Sequence, residues 1–261
     1  VAMQGLLQYG DHLFRDIRAL PPADVEARTP DLVKISGKVK GLYSVNFLLE
    51  QLNRTEGHDD RIIHSLWVKG FEAELPKNIH QFNALLTYYQ KTGMEKVYQY
   101  NEVPNFNGQA LVKNCLLSEV KSDLATSLKI CVILYHKKEI NRVMELVERS
   151  KTHKLFNAME MLEWVLPKAV AFQVNSLIDF VLDPTTVRRP FIEYDVKAFF
   201  HRILVTRASM YSEWTRALCI YCLLQNDGQD LVRELGDDHV PGEHSIIRET
   251  KAYVLQYNTA V

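Results

Sequence analysis

The sequence lacks an apolar run of the roughly 20 residues that a transmembrane helix needs, and it does not begin with a signal-peptide pattern. It also lacks an excess of either charge, with 31 Lys and Arg against 32 Asp and Glu among 261 residues. A protein that neutralises many nucleic-acid phosphates needs a surplus of basic side chains. We therefore expect a cytoplasmic protein for which nucleic acid is an unfavourable partner.

Cysteine is scarce. Cys115, Cys131, Cys219 and Cys222 all lie among apolar neighbours in helix-like segments. Cys219 and Cys222 form a Cys-x-x-Cys, but no second pair follows at zinc-site spacing. This pattern predicts buried thiols in a reducing compartment, without disulfides.

The sequence has no Gly-rich phosphate loop, no nucleophile elbow and no His-Glu metal helix. We therefore predict no catalytic residue, no cofactor and no metal. Two polar clusters nevertheless carry metal-ligand side chains: His58, Asp59, Asp60 and His64, and then Asp237, Asp238, His239, Glu243 and His244. The first is interpreted as a solvated helix start, where the helix dipole favours acids. The second is interpreted as a polar loop over 236–243, and an ion there, as in a metal-dependent helical enzyme, is the weaker alternative.

Helical periodicity dominates what is present, most clearly over residues 111–182. Four helix-like segments follow one another there with short breaks, and residues 124–135 are apolar enough to be buried on nearly all sides. Ile140, Val143, Met144 and Val147 show the i, i+3, i+4, i+7 spacing of an amphipathic helix. The same spacing places Leu162 in the core of the next helix. A non-helical loop is expected over 98–108.

The remaining sequence continues in the same way, with a helix start at Thr29-Pro30-Asp31, where Thr29 is expected to cap the helix. We count roughly twelve to fourteen helices, paired at intervals of about 30 to 45 residues, which is typical of helical repeats. The predicted fold is all-α, an α-solenoid of HEAT-like helical hairpins forming one domain over 1–261. An irregular helical bundle is the alternative. Because helix-like sequence begins at Val1 without an initiating Met, we expect a fragment of a longer chain.

Three stretches resemble a known family, the HEAT-repeat region of bacterial transporter-like proteins related to ATP/ADP translocases and the major facilitator superfamily. The segment 29–39 is similar to the family's "P-x-L-I-x-I-x-G-x-I" helix, and 111–119 resembles its "L-x-x-x-L-x-x-E" helix. The segment 157–163 is similar to its "N-A-x-E-x-L-D" helix, with Glu163 in place of the Asp. The resemblance implies an armadillo-like solenoid that follows a membrane-spanning region and lies on the cytoplasmic face of the inner membrane.

These observations favour a non-catalytic scaffold for protein–protein interaction over an enzyme, since a solenoid offers an extended binding surface but no chemistry of its own. The alternative is a HEAT-like nucleic-acid-binding protein or a DNA glycosylase-type enzyme. That alternative requires a basic, aromatic-lined groove that contains an acid.

Basic side chains supply the candidate contacts to a partner protein or an anionic membrane surface, although acids interleaved among them also fit a solvated face. They are Lys138, Arg142, Arg149, Lys151, Arg188 and Arg189. The second helix of each pair, near 44–52, 138–149 and 168–182, is the candidate lining of the concave side. Trp67, Trp164 and Trp214 lie at helical positions in separate units and are predicted to anchor the core.

Overall fold

The computed structural model describes residues 7–17, 19–26, 28–52, 59–148, 152–185, 195–206, 208–226, 228–235 and 244–257. Within these ranges the chain is entirely helices, turns and connecting segments, and it contains no strand. The all-α prediction is confirmed for this part of the chain.

The helices are numbered in chain order. They are α1 His12–Ile17, α2 Pro22–Glu26, α3 Thr29–Lys38, α4 Leu42–Gln51, α5 Asp59–Val68, α6 Pro76–Asn101, α7 Gln109–Tyr135, α8 Lys138–Glu148, α9 Thr152–Val165, α10 Lys168–Leu182, α11 Val196–His201, α12 Glu213–Leu224, α13 Gln229–Glu234 and α14 Ser245–Tyr257. A π-helical segment, Arg202–Thr206, follows α11, and a 3-10 turn, Ala208–Met210, precedes α12.

The four helices predicted over 111–182 are present as α7 to α10. In α7, Leu124, Leu128, Ile130, Cys131 and Ile133 are buried, which confirms the prediction that this segment is enclosed on nearly all sides. The helix ends at Tyr135, and the next residue, His136, has a φ of 55°, the left-handed conformation that often terminates helices. Apolar periodicity was sufficient to locate α8, α9 and α10, because each of these three helices buries a regular stripe.

Two local predictions need correction. The loop expected over 98–108 is shorter, because α6 continues to Asn101: Val97 is buried, and Tyr100 packs edge-on against Phe180 with ring centroids 5.1 Å apart. Thr29 is the first residue of α3 rather than its cap, and its hydroxyl donates a hydrogen bond to the Val25 carbonyl at 2.9 Å.

The chain divides into two compact units, and the divisions fall inside α6, α7 and α10. The first unit comprises Val1–Tyr89 and Ala125–Asn175. In it α3, α4 and α5 pack on one another, α8 packs on α9, and Phe14 lies against Phe47 with ring centroids 5.2 Å apart.

The start of α4 in this unit is held by Asp11, which accepts hydrogen bonds from the backbone N–H groups of Tyr43 at 2.9 Å and Ser44 at 2.7 Å. Burial alone would raise the pKa of Asp11, but these hydrogen bonds and the nearby Lys69 ammonium outweigh it and lower that pKa. Gly41 makes the approach possible, since a Cβ there would lie 2.1 Å from Asp11 Cγ.

The second unit comprises Gln90–Leu124 and Ser176–Val261. Its core includes Phe199 and Phe200, whose rings pack edge to face, and Phe106 lies 5.1 Å from the Phe200 ring. Asn226 ties the connection before α7 to the end of α12: its amide accepts from Asn107 N–H at 3.2 Å and donates to Asn107 O at 3.0 Å. This unit contains the candidate site.

Candidate functional site

A groove of about 360 Å³ lies between α12 and α14 in the second unit. It is lined by Trp214, Ala217, Leu218, Tyr221, Ile246, Glu249, Thr250 and Tyr253. Its size is at the lower end of the range for ligand pockets, so it suits one small ligand or one large side chain. Most of the lining is apolar.

Two adjacent stripes on α12 create one wall of the groove. Cys219, Cys222 and Leu223 belong to the stripe that enters the core. Trp214 and Tyr221, two turns apart, lie on the other stripe and line the groove. On α14, Ile247 and Val254 are buried in the same way, while the residues beside them line the groove. Each of the two helices therefore packs into the core through one stripe and lines the groove with a second stripe beside it.

Three aromatic side chains on this surface are notably exposed. Trp214 is 64% exposed, Tyr253 48% and Tyr221 37%. The rings of Tyr221 and Tyr253 stack across the groove at a centroid distance of 6.4 Å and an interplanar angle of 25°. Exposed aromatic clusters of this kind mark interaction surfaces more often than isolated apolar residues do.

Among the described residues that line the groove, Glu249 is the only charged one. Within the described part of the chain, its carboxylate makes no hydrogen bond or ion pair. The neighbouring Thr250 hydroxyl donates to the Ile246 carbonyl at 2.7 Å, which leaves its oxygen able to accept. Glu249 and Thr250 therefore both offer hydrogen-bond acceptors on the α14 wall.

A buried polar cluster fixes the first turn of α12. Glu119 Oε1, on α7, accepts hydrogen bonds from Ser212 N–H at 2.9 Å and from the Thr215 hydroxyl at 2.6 Å. Ser212 also caps α12, because its Oγ accepts from Thr215 N–H at 3.2 Å. Lys96 Nζ lies 3.1 Å from the other Glu119 oxygen. The first turn of α12, which carries Trp214, is therefore held in place by a buried ion pair and its hydrogen bonds.

Lys96 is shared between two carboxylates, since its Nζ also lies 2.8 Å from Asp123 Oδ2. The lysine side chain is only 3% exposed. With both acids ionised, the cluster would bury one net negative charge, which is unfavourable in a low-dielectric environment. One of the two carboxylates therefore binds a proton more readily than it would in water, and the pKa values identify it as Asp123.

The pKa values of Asp123, Glu119 and Lys96 reflect this excess of negative charge. Burial raises the pKa of Asp123 to about 6, against the attraction of Lys96 and with added repulsion from Glu119. Burial also acts to raise the pKa of Glu119, but Lys96 and the hydrogen bonds from Ser212 and Thr215 outweigh it and lower that pKa. Desolvation of the Lys96 ammonium is likewise outweighed by Asp123 and Glu119, so its pKa is raised.

The cysteines are buried as predicted at Cys131, Cys219 and Cys222, while Cys115 is partly buried. Burial raises the pKa of Cys131 to about 12 and that of Cys222 to about 11, and it raises the pKa of Cys219 and Cys115 as well. Thiols with raised pKa values remain protonated near neutral pH, and the thiolate is the nucleophile and metal ligand. The Cys219-x-x-Cys222 pair therefore packs as an apolar element.

Of the basic residues predicted to bind a partner, Lys138 and Arg142 are exposed one turn apart on α8 in the first unit. The other four, Arg149, Lys151, Arg188 and Arg189, lie outside the described residues. The groove of the second unit is formed by different side chains.

The two polar clusters are only partly described. Asp60 and His64 lie in α5 and His244 precedes α14, whereas His58, Asp237, Asp238, His239 and Glu243 fall outside the described ranges. Among the residues that the structure describes, no group of three or more His, Cys, Asp or Glu side chains could hold a metal ion.

The prediction that the tryptophans anchor the core is wrong for two of them. Trp164 is 89% exposed, because it lies two residues after the buried Leu162 and thus about 200° further round α9. Trp214 precedes the buried Thr215 and faces the groove. Trp67 is partly buried, and its indole N–H donates to Asn141 Oδ1 at 3.1 Å.

Sequence reasoning did not find Glu249 and Tyr253, nor the cluster of Lys96, Glu119 and Asp123. A signal for the groove does exist: Ile246, Thr250 and Tyr253 form an i, i+4, i+7 stripe immediately beside the core stripe of α14. For the buried cluster the sequence shows only that Glu119 and Asp123 lie one turn apart on α7. Nothing local pairs them with Lys96, because α6 brings that lysine to them through packing.

None of the described helices is both long enough and apolar enough to cross a membrane. Comparison with protein-family models, with curated proteins and with solved structures finds no match to this chain.

Proposed function

We propose that this chain is a non-catalytic helical scaffold that binds a segment of a partner protein in the groove between α12 and α14. The observation that carries the proposal is the exposure of Trp214, Tyr221 and Tyr253 around an apolar groove of about 360 Å³. A few residues supply most of the binding energy of a protein interface, and these residues are enriched in Trp, Tyr and Arg that lie in pockets from which water is excluded.

The scaffold that we propose is an α-solenoid of HEAT-like hairpins. The short connections between successive helices from α7 to α10 support it, since hairpin repeats pack against their sequence neighbours. The resemblance to the HEAT region of transporter-like proteins adds the proposal that the scaffold works on the cytoplasmic side of a membrane, with Lys138 and Arg142 as a second contact surface.

The charge of the groove distinguishes this function from nucleic-acid binding. Aromatic walls and an acid are present, as a base-flipping enzyme would require, but Glu249 is the only charged residue among the described residues of the lining. A phosphate backbone needs basic side chains along the groove. A carboxylate there repels it.

The test selects a random peptide library displayed on phage against the immobilised chain and measures the affinity of the selected peptides by isothermal titration calorimetry. We expect peptides whose affinity falls at least tenfold with Trp214→Ala or Tyr253→Ala, because anchors of this kind contribute about 2 kcal/mol or more.

Matched controls exist within the chain. Tyr88 is 48% exposed, as Tyr253 is, and Trp164 is more exposed than Trp214. Tyr88→Ala and Trp164→Ala should leave the affinity unchanged. Selected peptides that are insensitive to both groove variants would contradict the proposed function.

A further inference from the structure

We infer that the groove between α12 and α14 receives a positively charged side chain of the partner, an arginine or a lysine, between the aromatic rings and Glu249. This inference rests on the proposed function, because it specifies which part of the partner enters the groove. Three observations support it: the composition of the walls, the state of Glu249 and the size of the space.

The walls have the composition that favours an organic cation. The π-face of an aromatic ring carries partial negative charge, and tryptophan provides the strongest attraction for a guanidinium or ammonium group. Trp214 lies on the α12 wall, Tyr253 lies on the α14 wall, and Tyr221 stacks on Tyr253 at 6.4 Å. Arginine can also stack its planar group on such rings.

Glu249 decides between a cationic and an apolar occupant. An apolar side chain that filled the groove would remove water from this carboxylate without replacing its hydrogen bonds, which costs free energy. A guanidinium or ammonium group would replace that water with a charge-assisted hydrogen bond. Because Glu249 makes no ion pair within the described residues, its oxygens can accept this bond without breaking another.

The size of the groove limits the occupant to one side chain. A space of about 360 Å³ is too small for a helix of the partner, but it suits the extended, partly apolar stem of an arginine or lysine. The apolar residues Leu218 and Ile246 line the groove and would contact that stem.

The experiment uses two probes that differ only in charge, N-acetylarginine amide and its neutral isostere N-acetylcitrulline amide. Each is titrated into the ¹⁵N-labelled chain while the indole N–H signals are followed by NMR. The Trp214 signal is assigned by its loss in Trp214→Phe. Arginine amide should shift this signal and leave the Trp164 signal in place, and it should bind about five- to tenfold more tightly than citrulline amide.

The variant Glu249→Gln keeps the shape of the groove and removes its charge. It should abolish the preference for arginine amide over citrulline amide. Glu213→Gln is the control, since Glu213 is on the same helix as Trp214 but does not line the groove, and it should preserve the preference. Equal binding of the two probes to the parent chain would overturn the inference, as would a preference that survives Glu249→Gln.

The phage-selected peptides separate this inference from the proposed function. Replacing the basic residues of a selected peptide by citrulline or norleucine should weaken its binding about tenfold in the parent and much less in Glu249→Gln. Peptides that require Trp214 and Tyr253 but tolerate both changes would overturn the cation site while leaving the scaffold function intact. Peptides whose affinity is unchanged by Trp214→Ala and Tyr253→Ala would overturn the proposed function itself.

Discussion

At the scale of single residues, Lys96 compensates the charge of two largely buried carboxylates. It is the cation between Glu119 and Asp123, and it lies 5.9 Å from the centre of the Tyr211 ring. Removing one member of a buried ion pair leaves the other charges without compensation, which costs far more than the pair contributes.

We therefore predict that Lys96→Met lowers the free energy of unfolding by about 3 to 5 kcal/mol, because it leaves two carboxylates in a buried site. Lys91→Met is the matched control on the same helix, since Lys91 is exposed. The control should change stability by less than about 0.5 kcal/mol. Urea denaturation followed by circular dichroism measures both variants, and equal stability of the two would show that the cluster is solvated.

Asp123 makes stability depend on pH. Its pKa of about 6 in the folded chain lies above the ordinary value of 3.8. A raised pKa means that folding favours the protonated acid, so this contribution is complete below about pH 4 and is lost as the pH rises through 6. Glu119, whose pKa is lowered, acts in the opposite sense and loses its contribution as the pH falls.

Asp123→Asn should isolate the first effect, because asparagine resembles the protonated acid at every pH. Relative to the parent, the variant should gain stability between pH 4 and pH 6.5, by at most about 3 kcal/mol for a shift of roughly two pKa units. Urea denaturation of both chains at half-unit pH intervals measures the difference. A difference that is constant with pH, or that falls, would contradict the raised pKa.

At the scale of helices, periodicity predicted which segments are helical but not which of two stripes is buried. The spacing that placed Leu162 in the core was correct, and Leu162 is fully buried. The same reasoning failed for Trp164 and Trp214, because hydrophobicity alone does not separate a core stripe from an exposed binding stripe beside it. Contacts between distant segments, such as Glu119 with Thr215, leave no local pattern.

Helix α9 allows a direct test, because it carries a buried and an exposed apolar side chain two residues apart. Leu162→Ala should lower the free energy of unfolding by about 2 to 5 kcal/mol through loss of packing and the cavity left behind. Trp164→Ala should change it by less than about 0.5 kcal/mol despite the larger truncation. Thermal and urea denaturation compare the two, and a reversed order would mean that the opposite face of α9 is buried.

At the scale of the whole molecule, sequence periodicity indicated an all-helical chain, which the described residues confirm, but the arrangement of the helices is a matter of packing geometry. Two compact units emerge from the contacts, with divisions inside α6, α7 and α10. Neither α7 nor α10 contains a Pro or Gly that could mark its division, and in α6 Gly93 lies inside a continuous helix. No break in a hydrophobic stripe marks such a division, because the same helix continues to bury apolar residues on both sides of it.

The α-solenoid that we propose predicts the dimensions of the chain in solution. A compact globule of 261 residues has a radius of gyration of about 18 Å. Stacked hairpins contact only their neighbours and extend along one axis, so the radius should exceed about 20 Å, with a pair-distance distribution skewed towards long distances. Small-angle X-ray scattering of the monomeric fraction measures both quantities. A radius near 18 Å with a symmetric distribution would instead establish the irregular bundle, and the binding groove between α12 and α14 would then belong to a compact scaffold.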